Sequence, residues 1–175
     1  MKSNQLLFLA FLPVIIFMLS FASSLNAKTI TEEEIKAKFI LNFARFTEFP
    51  DVDQMLTVCL ISDDVTLSFL EEQTNRSKLK YDIDIISKSP RDEFDECHIL
   101  YISDEYKSDA SFIIDKTSGR AILTISDIPN FSLLRGIVTF QFEYDIPKII
   151  VNITSLRESS LVISSNLLSI VEIIE

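Results

Sequence analysis

Short runs of strand-forming apolar residues alternate with helix-length amphipathic segments along most of this chain, and that rhythm limits its fold more than any other feature. Leu56 to Ile61 reads as a buried strand, followed by the turn Ser62-Asp63-Asp64 and a helix from about Val65 to Asn75. Tyr81 to Ile86 alternates as a half-buried strand does at or near a sheet edge. His98-Ile99-Leu100-Tyr101-Ile102 is the short apolar run of a central parallel strand. A helix over about 109–116, Gly119 and a strand from Ala121 to Ile125 follow. Strand, helix, strand, helix in this order implies parallel pairing with right-handed crossovers. The last third changes character. Ile137 to Glu143 and Lys148 to Ile153, joined by Tyr144-Asp145-Ile146-Pro147, predict an antiparallel hairpin. A short helix near Ser155 to Ser159, the segment Leu161-Val162-Ile163 and a closing helix from Asn166 to Ile174 complete the reading. The expected fold class is α/β: one domain with a mixed central sheet, parallel in its first part, and helices on both faces.

The start of this domain is marked by Thr31-Glu32-Glu33-Glu34, a capping box at the head of a helix predicted to run to Phe49 and stop at Pro50. At about 100° per residue, Ile35, Phe39, Phe43, Phe46 and Phe49 make one apolar stripe. Ala37, Ile40, Leu41 and Ala44 make a second, with Lys36 on one edge and Lys38 and Arg45 on the other. A helix on one core needs a single stripe. The second is either buried against another element of the domain or is a surface for a dimer or a partner protein.

Residues 1–27 have the layout of a secretory signal peptide: Lys2, an apolar core from Leu6 to Phe21, and a small polar tail ending at Ala27. The core is short for a membrane span and contains Pro13, so no stable membrane insertion is expected once the leader is cleaved. Residues 28–175, 148 of the 175, form the domain. Leader removal takes Lys2 from the 16 basic residues and leaves 15 against 26 acidic, a net charge of −11. That balance, without a basic cluster, excludes a nucleic-acid surface. Two glycines cannot build a phosphate cradle, and a single histidine cannot build a multi-histidine metal site. Without an evident nucleophile, base or metal set, the chain does not read as an enzyme, and no cofactor is implied.

Export places Cys59 and Cys97, the two cysteines, in an oxidising compartment where they are expected to be bridged. Neighbouring strands bring Cα atoms within the roughly 4.4–6.8 Å that such a bond requires. The bond is a structural staple or a redox sensor. A second candidate site is the strand-end loop Ser126-Asp127-Ile128-Pro129-Asn130-Phe131, since open α/β sheets place ligands beyond their strand ends. Asp127, Pro129 and Asn130 would form it, with Asn152 and Ser165 orienting the loop or touching a partner. The alternative is a turn in which these polar groups bond local backbone. His98 reads as a core or edge histidine, and Asp63-Asp64 as a turn that caps the next helix.

Three segments resemble the YfiR/HmsC-like family of small periplasmic proteins. They are the helix Ile35 to Pro50, the run Cys97 to Ile102, and a long stretch carrying Ile122 to Phe131, Gly136 to Phe140, Val151-Asn152-Ile153 and Leu161 to Leu168. Phe49 stands where the family usually has Trp, Arg135 where a second Gly is common, and Ile146-Pro147 in place of a Gly-bearing hairpin tip. A second cysteine pair of some members is missing. The resemblance supports the Cys59–Cys97 pair. It implies a partner: the periplasmic sensor region of a membrane-bound diguanylate cyclase, which the family's best-understood members repress, lowering cyclic di-GMP and biofilm formation. The alternative function is a periplasmic small-molecule sensor.

Overall fold

Helix α1 (Glu32–Phe46) starts for the local reason its sequence carries. In the computed structural model, which describes residues 30–50, 52–144 and 146–175, Glu34 N donates to Thr31 Oγ1 at 3.2 Å. This satisfies one of the amides a helix start leaves without a partner. The leader at residues 1–27 lies outside the described residues. The helix ends three residues before the predicted Phe49. Thr47–Glu48 leaves it as strand β1, antiparallel to Val162–Ile163, and Ser164 N donates to Phe46 O at 2.8 Å. Tertiary backbone pairing here overrides a helical pattern that the sequence carries on to Pro50.

The alternation read from the sequence becomes β2 (Met55–Ile61), α2 (Asp64–Arg76), β3 (Asp82–Ser87), β4 (Ile99–Ile102), α3 (Ala110–Thr117) and β5 (Leu123–Ser126). The remainder is β6 (Val138–Glu143), β7 (Ile146–Asn152), α4 (Ile153–Glu158), β8 (Val162–Ile163), α5 (Ser165–Leu168) and β9 (Glu172–Ile174), with 3₁₀ turns at Asp104–Tyr106 and Phe131–Leu134. The main sheet has the order β3-β2-β4-β5-β6-β7-β9. It is parallel from β3 through β6, antiparallel between β6 and β7, and parallel again between β7 and β9. This is the expected mixed sheet, with β3 at its edge.

The predicted closing helix from Asn166 to Ile174 is corrected. Only the single turn α5 is helical, and Glu172–Ile174 forms β9, in register with Ile150–Asn152 of β7. The open edge of β7 supplies backbone partners that an isolated, poorly packed helix end cannot.

Strand side chains alternate between two cores. Leu56, Val58 and Leu60 of β2 join Ile99 and Tyr101 of β4 and the buried face of α1 in one cluster. Cys59, Ile61, Leu100 and Ile102 face the opposite way, with Ala110, Ile113 and Ile114 of α3. Helices therefore cover both faces of the sheet. On the α3 side, Phe131 is fully buried against the backbone of Gly136: a Cβ built on Gly136 would lie 2.2 Å from the Phe131 ring. Gly136→Ala is expected to destabilise by about 1–3 kcal/mol, as overpacking does, read as a lower denaturant midpoint with an unchanged m-value.

Candidate functional site

Where β5 ends, Ser126 shapes the turn that follows. Its buried Oγ donates to Ile102 O at 2.6 Å and accepts from Ile128 N at 3.0 Å, which fixes the exit of the strand. Asp127 comes next and meets Lys36 from the second turn of α1. Lys36 Nζ lies 2.7 Å from Asp127 Oδ2, and the two side chains are only 12% and 10% exposed. No donor meets Asp127 Oδ1 with hydrogen-bond geometry, although that oxygen is buried. Burial pulls the Lys36 ammonium down, but the hydrogen bond and charge of Asp127, with Glu33 and Glu32 behind it, outweigh this and hold it above its ordinary value.

Tyr101 of β4 is fully buried beneath this pair. Burial, then the negative charge of Asp127 and a hydrogen bond to its carboxylate, push its phenol well above the usual tyrosine range, with smaller contributions from Asp104 and Asp63. A phenol whose folded pKa is raised stabilises the fold in full below the unfolded value of about 10, and that contribution is lost as pH rises through the folded value. Lys36 acts in the same direction at the same end of the scale. Stability is therefore expected to fall above about pH 10, with Tyr101→Phe flattening the fall. Denaturant melts at stepped alkaline pH read the difference.

Above the pair opens a cleft of about 420 Å³ lined by Glu32, Lys36, Asp104, Asp127, Pro129 and Phe140–Glu143. It sits beyond the carboxyl ends of parallel strands, where ligands bind in open α/β sheets. Four carboxylates and one ammonium make it acidic. Among the described residues, no three His, Cys, Asp or Glu side chains converge to hold a metal ion.

The structure brings only part of the predicted loop site together. Asp127 and Pro129 line the cleft. Asn130 is exposed beside it in a left-handed turn, φ 60°, a conformation asparagine tolerates. Asn152 and Ser165 do not line it. Asn152 is buried as a structural tie: its Nδ2 donates to Ser132 O at 2.9 Å and its Oδ1 accepts from Ser155 N at 2.9 Å, capping α4. Ser165 is exposed at the start of α5. Lys36, Tyr101 and Asp104 were not singled out by sequence. The signal for Lys36 was its place beside two apolar faces of one helix, since a lysine buried there needs an acidic partner.

The proposed partner face of α1 is likewise corrected. Ala37, Ile40 and Ala44 are 0% exposed and Leu41 4%. They pack into the main core of this same chain, so the folded domain does not present them to a partner or a second copy. Cys59 and Cys97 are disulfide-bonded, with Cα atoms 5.6 Å apart, joining β2 to the residue two before β4. Asp63 caps α2 through Thr66 N. His98 Nδ1 accepts from Thr57 N at 3.0 Å, holding the imidazole in the sheet.

No curated protein matches the chain. Among solved structures, it is similar to a conserved domain protein from Vibrio cholerae O1 biovar eltor, with 12% identity and a TM-score of 0.52 over 83% of this chain. At that identity the likeness concerns the fold. The chain spans 60% of the length of that protein. Residues 33–172, from the first turn of α1 to the start of β9, match the YfiR/HmsC-like family, and the chain belongs to it.

Proposed function

We propose that this protein binds the periplasmic sensor region of an inner-membrane diguanylate cyclase and represses it, lowering cyclic di-GMP and biofilm formation. The observation that carries the reading is the family match along residues 33–172. The YfiR/HmsC-like family is one of periplasmic regulators of diguanylate cyclase signalling rather than of enzymes. A buried disulfide suits an exported protein. Among the described residues, no helix is long and apolar enough to cross a membrane. Repression then acts by population shift: the protein favours the off conformation of its receptor by binding that state more tightly. Deleting the gene is expected to raise cellular cyclic di-GMP and biofilm, and restoring it in trans to reverse both. Unchanged levels on deletion would sink this reading.

The cleft over Asp127 favours a second reading, a periplasmic sensor of a small molecule. The two readings are compatible if ligand occupancy changes affinity for the receptor.

A further inference from the structure

The two sides of the main sheet are finished differently. β9 ends it with an edge of three residues, β3 with one of six. Natural sheets protect an open edge by shortening it, by bulges, or by proline and lysine along it. β3 contains no proline or lysine, and its register with β2 is unbroken from Asp82 to Ser87.

The bonds that frame the strand show which of its backbone groups are open. Asp82 N donates to Gln54 O and Lys88 N to Leu60 O, both at 2.8 Å, so the even-numbered amides point toward β2. The period of two then turns the N–H and C=O groups of Ile83, Ile85 and Ser87 outward. Among the described residues no strand neighbours β3 on that side. Such a row of donors and acceptors takes the backbone of another extended chain.

The side chains select which chain. Asp82 and Asp84 are exposed on one face of β3, and Ile83 and Ile85 lie half-buried on the other, against the main core. The lysines flanking the strand are held elsewhere, Lys80 at the Tyr81 hydroxyl and Lys88 at Glu96. No ion pair among the described residues includes either aspartate. A second copy docked edge to edge brings the same two aspartates to the joint, where like charges oppose pairing. A strand with basic residues on that face meets them with opposite charge, and its alternate apolar residues extend the cover over Ile83 and Ile85.

We propose that the outer edge of β3 docks an extended segment of a partner protein, one that alternates basic and apolar side chains and adds a strand to the sheet through Ile83, Ile85 and Ser87. This goes beyond the cyclase reading by assigning a surface and a partner chemistry, and it is tested on the purified domain alone.

The probe is a short capped peptide of alternating lysine and valine, and its control has glutamate in place of lysine. Fluorescence anisotropy reads binding, and amide exchange by NMR reads where the peptide sits. The expected result is saturable one-to-one binding of the lysine peptide, with the amides of Ile83, Ile85 and Ser87 becoming protected from exchange. Asp82→Asn with Asp84→Asn is expected to weaken that binding roughly tenfold, as loss of two cross-strand charge pairs does. Ile85→Pro removes one outward N–H without removing a donor to β2 and is expected to weaken it as well. The aspartate pair, on an exposed face, keeps the test independent of whether Ile85→Pro folds.

A protein this acidic attracts lysine peptides everywhere, so a control pair is needed. Glu105→Gln with Asp115→Asn, exposed on other elements, is expected to leave binding intact. Equal loss in that pair, equal binding of the glutamate peptide, or binding that leaves the three amides unprotected would overturn the proposal. Protection that rises with the protein's own concentration, without peptide, would give the edge to a second copy and overturn it too. So would no binding at all. Each of these results leaves the gene-deletion test of the cyclase reading standing.

Discussion

Replacing Cys59 and Cys97 together by alanine is expected to lower the unfolding free energy by about 4 kcal/mol, the chain-entropy value for a loop of this length. The bond closes a separation of 38 residues. That loop contains α2, β3 and the segment leading to β4. Much of what holds the last segment is superficial. Glu93 and Asp95 pair with Lys116 and Arg120 at 2.9 and 2.6 Å, but those acidic side chains are 71% and 78% exposed. Such pairs contribute about 0–1 kcal/mol each. The buried anchors are Phe94, 0% exposed, and the disulfide itself, whose cysteines are 0% and 3% exposed. The ion pairs therefore do not replace the bond once it is gone. Guanidinium melts of the oxidised wild type and the double variant read the loss directly, and coincident curves would contradict it. The same comparison bears on function. If the reduced protein still represses as the oxidised one does, the bond is a staple; if repression falls in step with stability, the bond sets the folded population.

Leu41→Asp is expected to cost about 3–5 kcal/mol, the range for an uncompensated charge in a protein interior. Leu41 is 4% exposed among Ala37, Ile40 and Ala44, and α1 packs there against the sheet residues of the main core. Substitution at this position reports on the core, so loss of partner binding in Leu41→Asp says nothing about an interface unless folding is checked by circular dichroism. A folded variant with wild-type stability would show that this face is not buried as the structure places it. The more conservative Leu41→Ala removes the same contacts without a charge and belongs at about 2–5 kcal/mol.

Much of the fold is legible along the chain because its signals are local. The Thr31 cap, the continuous apolar runs of β2 and β4 and the alternation of β3 each follow from residues within a few positions of one another. Two errors have a shared cause. The end of α1 and the course of residues 169–174 are set by backbone partners distant in sequence, Val162–Ile163 for the first and Ile150–Asn152 for the second. A period of 3.6 in the side chains does not reveal an open strand edge that arrives from elsewhere.

The site divides in the same way. Asp127 and Pro129 stood out because they follow a strand end, and Cys59 and Cys97 because an exported chain with two cysteines has one pairing to make. The residues that give Asp127 its chemistry come from other elements: Lys36 from α1, Tyr101 from β4 and Glu143 from the hairpin.

By itself, then, the sequence determined the α/β class, the export expectation and the family, since these rest on local pattern and on the order of motifs. Only the tertiary structure decided which face of α1 is core, that the chain ends in a strand, and that an acidic cleft forms over Asp127. Each of those depends on which distant groups share one small volume, and burial and electrostatics act through space rather than along the chain.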